Sequence, residues 1–199
     1  MTTTKDEFTQ FEHAGWERVA DKYDSVWSSL TRQFIPHLID DAKVTAGMSV
    51  LDVACGPGYL SATAKELGAI PIGIDFSEKM IAIAKEMFPD TTFRQGDAKE
   101  LPFEDRSFDR VLINFGLLHL SHPEKACAEA CRVLKSGGRL GLPSGRGQSR
   151  IPEPKSSMMR LKHMRTWMSD CPRGRRITCT GREKNAGKCC KNPALMATR

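Results

Sequence analysis

Apolar and polar positions along this chain predict short strands that alternate with helices. Five short apolar runs are typical of buried parallel strands, and they lie at 50–53, 71–75, 91–94, 108–114 and 139–142. Apolar residues recur at helical spacing between them, at 59–67, 77–87 and 123–134, and again ahead of the sheet, at 16–30 and 34–42. Such alternation favours an α/β fold with a mainly parallel sheet and helices on both faces.

A tight glycine turn joins the first strand to the helix that follows it. The stretch 50–60 reads VLDVACGPGYL, so the chain leaves an apolar strand, passes Gly56 and Gly58, and enters a helical pattern. A side chain at either glycine would disfavour positive φ and keep a ligand away from the backbone. The turn is therefore suited to a ligand that approaches the main chain.

Three carboxylates indicate what kind of ligand this is. Asp52 and Asp75 end the first two strands and Asp97 follows the third, and the carboxyl ends of parallel strands share one crevice. A dinucleotide is one candidate, because Asp75 could bind its ribose. However, Ser61 replaces the third glycine of the dinucleotide fingerprint, and Asp52 would repel a pyrophosphate. S-adenosylmethionine suits three acids better, because its sulfonium, ammonium, ribose and adenine amine attract or donate to carboxylates.

Four segments resemble, in order and spacing, the successive motifs of class I S-adenosylmethionine-dependent methyltransferases. They are 50–60, 73–80, 96–103 and 107–111, and the likeness extends over roughly residues 16–142. It is greatest for the small-molecule type that includes ubiquinone and menaquinone biosynthesis enzymes. The resemblance implies a Rossmann-like methyltransferase fold, S-adenosyl-L-methionine as cofactor, and in-line methyl transfer to a small-molecule acceptor.

The resemblance also assigns roles by position. It implies that Asp75 accepts hydrogen bonds from the ribose hydroxyls and that Asp97, with the backbone of Ala98, holds the adenine. Tyr23 is similar to the aromatic residue with which an N-terminal helix closes over the cofactor. The expected cofactor-binding residues are Tyr23, Asp52, Ala54, Gly56, Gly58, Asp75, Phe76, Met80, Asp97, Ala98, Asn114 and Phe115.

Structural explanations remain open for several of these residues. The apolar stripe that carries Tyr23 could be a packing face instead of a lid, since apolar periodicity usually marks a core face. Asp75 could cap the helix that follows it, and Met80 could belong to the core.

His119 is the candidate catalytic residue, because histidine titrates near neutral pH. Methyl transfer depends mainly on alignment of donor and acceptor, and a base is needed only where the acceptor must lose a proton. Packing is therefore the alternative for His119, and the case for His122 is weaker. Cys127 and Cys131 share one helix face, but buried cysteines are commoner than half of a metal site, and we expect no metal.

Length and composition are those of one ordinary globular domain, with 199 residues, 40% of them hydrophobic and 27% charged. The chain contains no apolar run of the roughly 20 residues that a membrane span needs, and its start has no signal-peptide core. We therefore expect a cytoplasmic protein without a membrane partner. Seven cysteines, an odd number, do not suggest a disulfide framework, and the oligomeric state stays open.

Charge divides the chain into two parts. Residues 143–199 contain 14 Lys and Arg against 3 Asp and Glu, whereas residues 1–142 contain 16 against 21. We therefore expect a methyltransferase domain with N-terminal helices at 1–142 and a basic tail of low order at 143–199. The last strands of the family's usual seven are expected to be missing or degraded.

The basic tail leaves three interpretations open. Its positive charge could recruit a nucleic acid, which would make the protein an RNA methyltransferase, although Trp167 is its single aromatic residue. Alternatively, the truncated fold could bind S-adenosylmethionine without catalysis. A third hypothesis is that residues from about 143 onward are translated out of the ancestral reading frame, which sequencing the gene and translating its other frames would test.

Overall fold

The computed structural model describes residues 7–143 and the backbone of one further strand at 176–179, so most of the predicted basic tail lies outside the described residues. The strands are β1 (Ser49–Val53), β2 (Ile70–Asp75), β3 (Thr92–Gln95), β4 (Phe108–Leu112), β5 (Leu134–Leu142) and β6 (Arg176–Cys179). They form one six-stranded sheet in the order β3-β2-β1-β4-β5-β6, and every neighbouring pair is parallel.

Helices connect the strands and precede them. They are α1 (Glu7–Val19), α2 (Ser29–Arg32), α3 (Ile35–Ala42), α4 (Tyr59–Glu66), α5 (Glu78–Met87) and α6 (Pro123–Val133). A 3-10 turn at Ala20–Lys22 and a π-helical turn at Asp24–Ser28 join α1 to α2, and a further 3-10 turn lies at Gly116–His119. In the described residues, no helix is long and apolar enough to cross a membrane.

Local sequence explains where α5 begins. Ser77 has an extended backbone, and its hydroxyl accepts a hydrogen bond from the Met80 backbone N–H at 3.1 Å, as an N-cap does. Glu78 follows in the first turn, where negative charge is favourable. The same helix then buries Met80, Ile81 and Ala84 against the sheet.

Alternation along the strands sends consecutive side chains into two separate cores. Leu51 of β1 packs in the cluster that contains Ala126 and Ala130 of α6. Its neighbour Val50 packs in the cluster that contains Leu38 of α3 and the side chains of α4. The sheet is therefore covered on both faces, and the predicted Rossmann-like fold is confirmed.

Strand order places a crevice beside β1. The chain runs outward through β2 to β3 and then returns to β4 on the other side of β1. Ligands of open parallel sheets bind where the order reverses, at the carboxyl ends of the strands. The loops that follow β1 and β4 are therefore the place for a site.

The carboxyl-terminal side of the sheet differs from the sequence prediction. The sequence predicts a strand only from 139, but β5 already begins at Leu134, and Gly137 and Gly138 lie where its register with β4 shifts. The sixth strand was not predicted at all. Its only sequence signal is the β-branched pair Ile177 and Thr178.

Candidate functional site

A cavity of about 610 Å³ opens at the carboxyl ends of β1, β2 and β4. That volume lies within the range of small-molecule sites. Its wall contains ten of the twelve predicted cofactor-binding residues, together with His119. The ten are Tyr23, Ala54, Gly56, Asp75, Phe76, Met80, Asp97, Ala98, Asn114 and Phe115.

Asp75 is held rigidly at the end of β2. Its Oδ2 accepts a hydrogen bond from the Gly56 N–H at 2.8 Å, and its Oδ1 accepts one from the Ser77 N–H at 3.0 Å. Burial raises the pKa of this carboxyl, and the backbone N–H groups offset part of that rise. Each carboxylate oxygen keeps a second lone pair, so Asp75 can still accept from two hydroxyls. The N-cap of α5 is Ser77, so capping does not explain Asp75.

Asp52 is buried beneath the cavity wall. Its Oδ2 accepts hydrogen bonds from the Ser61 N–H at 3.0 Å and from the Ser61 hydroxyl at 2.7 Å. Burial raises the pKa of Asp52 to about 7, the hydrogen bonds from Ser61 lower it, and the charge of Asp75 adds to the rise. Ser61, where the dinucleotide fingerprint has glycine, therefore stabilises a carboxylate.

Two buried oxygen atoms lack a hydrogen-bond partner within the described part of the chain, namely Asp52 Oδ1 and Asn114 Oδ1. The amide nitrogen of Asn114 donates to the Thr31 carbonyl at 3.1 Å. Asp52 and Asn114 both line a small cavity of about 30 Å³, which adjoins the large one through shared residues such as Ala54. Because an unpaired buried acceptor costs about 1–3 kcal/mol, this corner favours a ligand that donates hydrogen bonds, such as an ammonium.

The glycines of the turn have different surroundings. Gly56 (φ +52°) has open space where a Cβ would lie, and it lines the cavity. At Gly58 (φ +86°) a Cβ would lie 2.5 Å from the Phe93 ring. Gly58 therefore allows α4 to pack beside β3, and it does not line either cavity.

The residues expected to hold an adenine also line the cavity. Asp97 is partly exposed, and its Oδ1 accepts a hydrogen bond from the Lys99 N–H at 2.8 Å. Ala98 is buried next to it. Phe76 and Met80 also line the cavity, and Met80 is part of the buried face of α5 as well, so a core role does not exclude the predicted contact with the cofactor.

The N-terminal helices cover this cavity. Tyr23 lines it and donates a hydrogen bond from its hydroxyl to Thr31 Oγ1 at 3.3 Å, and burial raises the pKa of Tyr23. Phe115 has a left-handed backbone (φ +65°) and packs edge-on against Phe34. The stripe that carries Tyr23 is therefore the roof of the cavity as well as a packing face.

His119 is joined to the N-terminal helices that cover the cavity. The Nδ1 atom of His119 lies 2.9 Å from Glu12 Oε2, and the Trp16 ring packs edge-on against the imidazole at 4.8 Å. His122 pairs instead with Glu124 at 3.1 Å and does not line the large cavity. Sequence reasoning missed Glu12 because one acidic residue on an amphipathic helix carries no signal, while Trp16 was visible only as part of the apolar stripe.

No group of three or more His, Cys, Asp or Glu side chains could hold a metal ion in the described residues. The site therefore consists of carboxylates, backbone N–H groups and aromatic rings.

Comparison with known proteins shows what this chain is similar to. Residues 51–142 match the family model described as a methyltransferase domain. This match covers just under half of the chain, and it supports the resemblance to class I S-adenosylmethionine-dependent methyltransferases that the sequence motifs indicate. The match ends at Leu142, where the sequence resemblance also ends.

Within that class the chain is similar to demethylmenaquinone methyltransferases. The one from Renibacterium salmoninarum is 41% identical over 131 residues, which cover 64% of this chain and 55% of that protein. The chain thus spans about half the length of the curated relatives it matches.

Solved structures show the same fold at lower identity. A SAM-dependent methyltransferase from Aquifex aeolicus superposes with a TM-score of 0.58 at 23% identity, covering 69% of this chain and 77% of that one. The cyclase SpnF superposes with a TM-score of 0.63 at 24% identity, covering 71% and 61%. A fold that also occurs in a cyclase does not by itself define the reaction.

Proposed function

We propose that this protein binds S-adenosylmethionine in the large cavity and transfers its methyl group to a small, mostly apolar acceptor. The observation that carries this proposal is the convergence of Asp75, Gly56 and the unpaired oxygens of Asp52 and Asn114 on one pair of adjoining cavities. The match of residues 51–142 to the methyltransferase domain model supports the same conclusion.

Each polar group of the donor has a complementary partner in this arrangement. Asp75 would accept the ribose hydroxyls, and the corner formed by Asp52 and Asn114 would take the ammonium. The adenine would lie by Phe76, with Asp97 near its amine. An anionic phosphate in place of the ammonium would meet the Asp52 carboxylate, which disfavours a dinucleotide here.

The acceptor is expected to be flat and apolar. The part of the wall formed by the N-terminal helices is rich in apolar side chains, which are Phe8, Trp16, Trp27 and Leu30. Similarity to demethylmenaquinone methyltransferases makes a quinol ring a suitable candidate. We propose a hydroxylated aromatic ring of this kind as the acceptor.

The reaction needs little from the protein beyond alignment. An electron pair of the acceptor forms a bond to the methyl carbon, the carbon–sulfur bond breaks, and its electrons stay on sulfur to give S-adenosylhomocysteine. Fixing the reacting atoms in line supplies most of the rate enhancement. The aromatic roof keeps water away from the sulfonium.

The test combines binding with turnover. Calorimetry with S-adenosylhomocysteine and the full chain should show binding, and Asp75→Asn should weaken it more than tenfold, since hydrogen bonds to charged groups contribute about 1.5–3 kcal/mol. The matched control is Asp90→Asn, an exposed acid in the turn between α5 and β3. Unchanged affinity in Asp75→Asn would contradict the proposed site.

Turnover is measured as transfer of a tritiated methyl group from S-adenosylmethionine to a reduced short-chain demethylmenaquinone. A second candidate function, cofactor binding without catalysis, is favoured by the family match, which already ends at Leu142 within the chain. Binding without transfer to this acceptor would support that second candidate. Salt-sensitive methyl transfer to RNA would instead favour a nucleic-acid substrate.

A further inference from the structure

His119 and His122 are close together in sequence and each is paired with a glutamate, but of these two pairs only that of His119 lines the large cavity. His119 and Glu12 are 107 residues apart and approach within 2.9 Å, between Nδ1 and Oε2. The Nε1–H of Trp16 donates to the same Oε2 at 3.2 Å. All three residues line the cavity.

This contact fixes the tautomer of the imidazole. An ionised carboxylate can only accept hydrogen bonds, so we assign the proton of a neutral His119 ring to Nδ1. Its Nε2 then carries the lone pair, and in residues 7–143 no side chain or backbone group forms a hydrogen bond with Nε2. His119 therefore presents a proton acceptor at the cavity.

We propose that His119 is the general base of the reaction and that Glu12 is its positioning residue. This inference rests on the proposed function and narrows its acceptor to one that must lose a proton, such as the hydroxyl or activated ring C–H of a quinol. In that step the proton moves to His119 Nε2 and the electron pair it leaves forms the bond to the methyl carbon. The carbon–sulfur bonding pair stays on sulfur, and the partly exposed imidazolium returns its proton to water.

The base is complete only when α1 covers the cavity, because Glu12 lies on that helix. Other contacts also hold α1 in place. Glu17 accepts a hydrogen bond from the Ser77 hydroxyl at 2.7 Å, and Thr9 accepts one from Lys99 Nζ at 2.9 Å. Covering of the cavity and activation of the acceptor are thereby coupled.

Charged groups near His119 affect how turnover depends on pH. Glu12 is the charged side chain in hydrogen-bond contact with His119. Asp97 also lines the cavity and lies 3.7 Å from Lys99 Nζ, measured from its Oδ2. His122 and Glu124 form the second pair, which offers matched controls.

The experiment uses the full chain and four single variants. His119→Gln should lower kcat for the reduced short-chain demethylmenaquinone by about 10²–10⁴-fold, the usual contribution of a general base. Glu12→Gln should lower it less, because the ring remains but is held less firmly. His122→Gln and Glu124→Gln are the same changes at the pair outside the cavity and should retain wild-type turnover. All four should bind S-adenosylhomocysteine as the wild type does.

Two measurements distinguish a His119 that acts as a base from one that only holds α1 in place. Turnover by His119→Gln should rise steadily with pH, because hydroxide then removes the proton, whereas wild-type turnover should level off. Nitrogen-15 NMR of the histidine rings should show His119 protonated at Nδ1 when neutral. The proposal would be overturned if the neutral imidazole of His119 were protonated at Nε2. It would also be overturned if turnover by His119→Gln depended on pH as wild-type turnover does.

Different results would contradict the role of His119 and the proposed methyl transfer. A wild-type chain that transfers methyl groups, with a His119→Gln variant that does so equally well, contradicts the base alone. A wild-type chain that binds S-adenosylhomocysteine but transfers nothing contradicts the proposed function and the role of His119 with it.

Discussion

Glu17 of α1 accepts a hydrogen bond from the hydroxyl of Ser77 at 2.7 Å, and Ser77 is also the N-cap of α5. A second, longer hydrogen bond reaches Glu17 from the Lys79 N–H at 3.3 Å. The carboxylate thus lies at the N-terminal end of α5, where a helix favours negative charge. One side chain connects the roof of the cavity to the helix that forms its wall.

Replacing Glu17 with Gln should loosen α1 without unfolding the sheet. The charge at the helix end contributes about 0.3–1 kcal/mol, and its loss should lower the hydrogen-exchange protection of α1 amides at neutral pH. Glu66→Gln, an exposed change at the end of α4, is the matched control. Equal protection of α1 in Glu17→Gln and the wild type would show that this contact does not hold the roof.

The same contact predicts how the roof responds to acid. Burial alone would raise the pKa of Glu17, but hydrogen bonds from Ser77 and Lys79 and the nearby His13 lower it below its ordinary value of 4.5. A lowered folded-state pKa contributes stability above pH 4.5 that is lost as the pH falls through the folded-state value. Protection factors of α1 should therefore fall on acidification in the wild type and change less in Glu17→Gln.

Gly56 and Gly58 should respond differently to alanine. Both have positive φ, which costs a residue with a Cβ about 1–2 kcal/mol. Only at Gly58 does the added Cβ also meet the Phe93 ring, at 2.5 Å, so Gly58→Ala should lose more free energy of unfolding. Gly56→Ala should mainly weaken binding of S-adenosylhomocysteine, because its methyl group occupies open space at the cavity wall. Urea unfolding and calorimetry measure the two effects, and equal losses of stability would contradict the assignment.

The sequence predicts the sheet and one side of the site because both depend on local patterns. Apolar runs locate the strands, and residues at or just beyond the carboxyl end of a strand, such as Asp75 and Asn114, lie at the crevice. Asp52 was expected in the same crevice, but it lies below the wall and borders the smaller cavity. The difference arises because its Oδ2 turns to Ser61, a contact that strand order does not reveal.

The other side of the site depends on contacts between distant segments. Glu12 and His119 meet only because α1 folds back across the sheet, and no periodicity encodes that distance. A similar reason applies to Gly137, whose position after an amphipathic helix is typical of a C-terminal cap. Pairing with β4 instead places it within β5, with φ +77°, and this tertiary pairing decides the local conformation.

Asp109 should support stability at the end of the sheet away from the site. Its Oδ2 accepts hydrogen bonds from the Ser49 hydroxyl at 2.7 Å and from Lys135 Nζ at 2.9 Å. Burial would raise the pKa of Asp109, but these hydrogen bonds lower it to about 2. Its folded-state pKa lies below the ordinary 3.8, so its contribution is present above about pH 4 and is lost as the pH falls towards 2.

Asp109→Asn should therefore lower the free energy of unfolding by about 1–2 kcal/mol at neutral pH, a figure reduced for the partial exposure of the pair. The difference from the wild type should shrink as urea unfolding is repeated at lower pH. Binding of S-adenosylhomocysteine should stay unchanged, because Asp109 lines neither cavity. A difference that does not shrink in acid would show that the charge of Asp109 is not its source.

Asp52 should make cofactor binding depend on pH near neutrality. In the empty protein, burial raises its pKa to about 7, so at that pH half of the molecules carry a neutral carboxyl in the ammonium corner. The ammonium of S-adenosylhomocysteine favours the ionised form, so binding should lower this pKa and release a proton. Below the pKa of the empty protein, each pH unit should therefore weaken binding by up to about tenfold.

Calorimetry from about pH 6 to about pH 8, in two buffers of different ionisation enthalpy, measures both the affinity and the released proton. Asp52→Asn should bind more weakly at pH 8 and lose the pH dependence, while Asp90→Asn should titrate as the wild type does. Because the pKa of Asp52 is raised on folding, ionising it opposes folding; this cost builds up between about pH 4 and pH 7 and is complete above pH 7. Asp52→Asn has no charge to bury, so its weaker binding cannot be attributed to lost folding electrostatics. If Asp52→Asn kept the wild-type pH dependence, the titrating group would have to be another one, and the ammonium would not lie at Asp52.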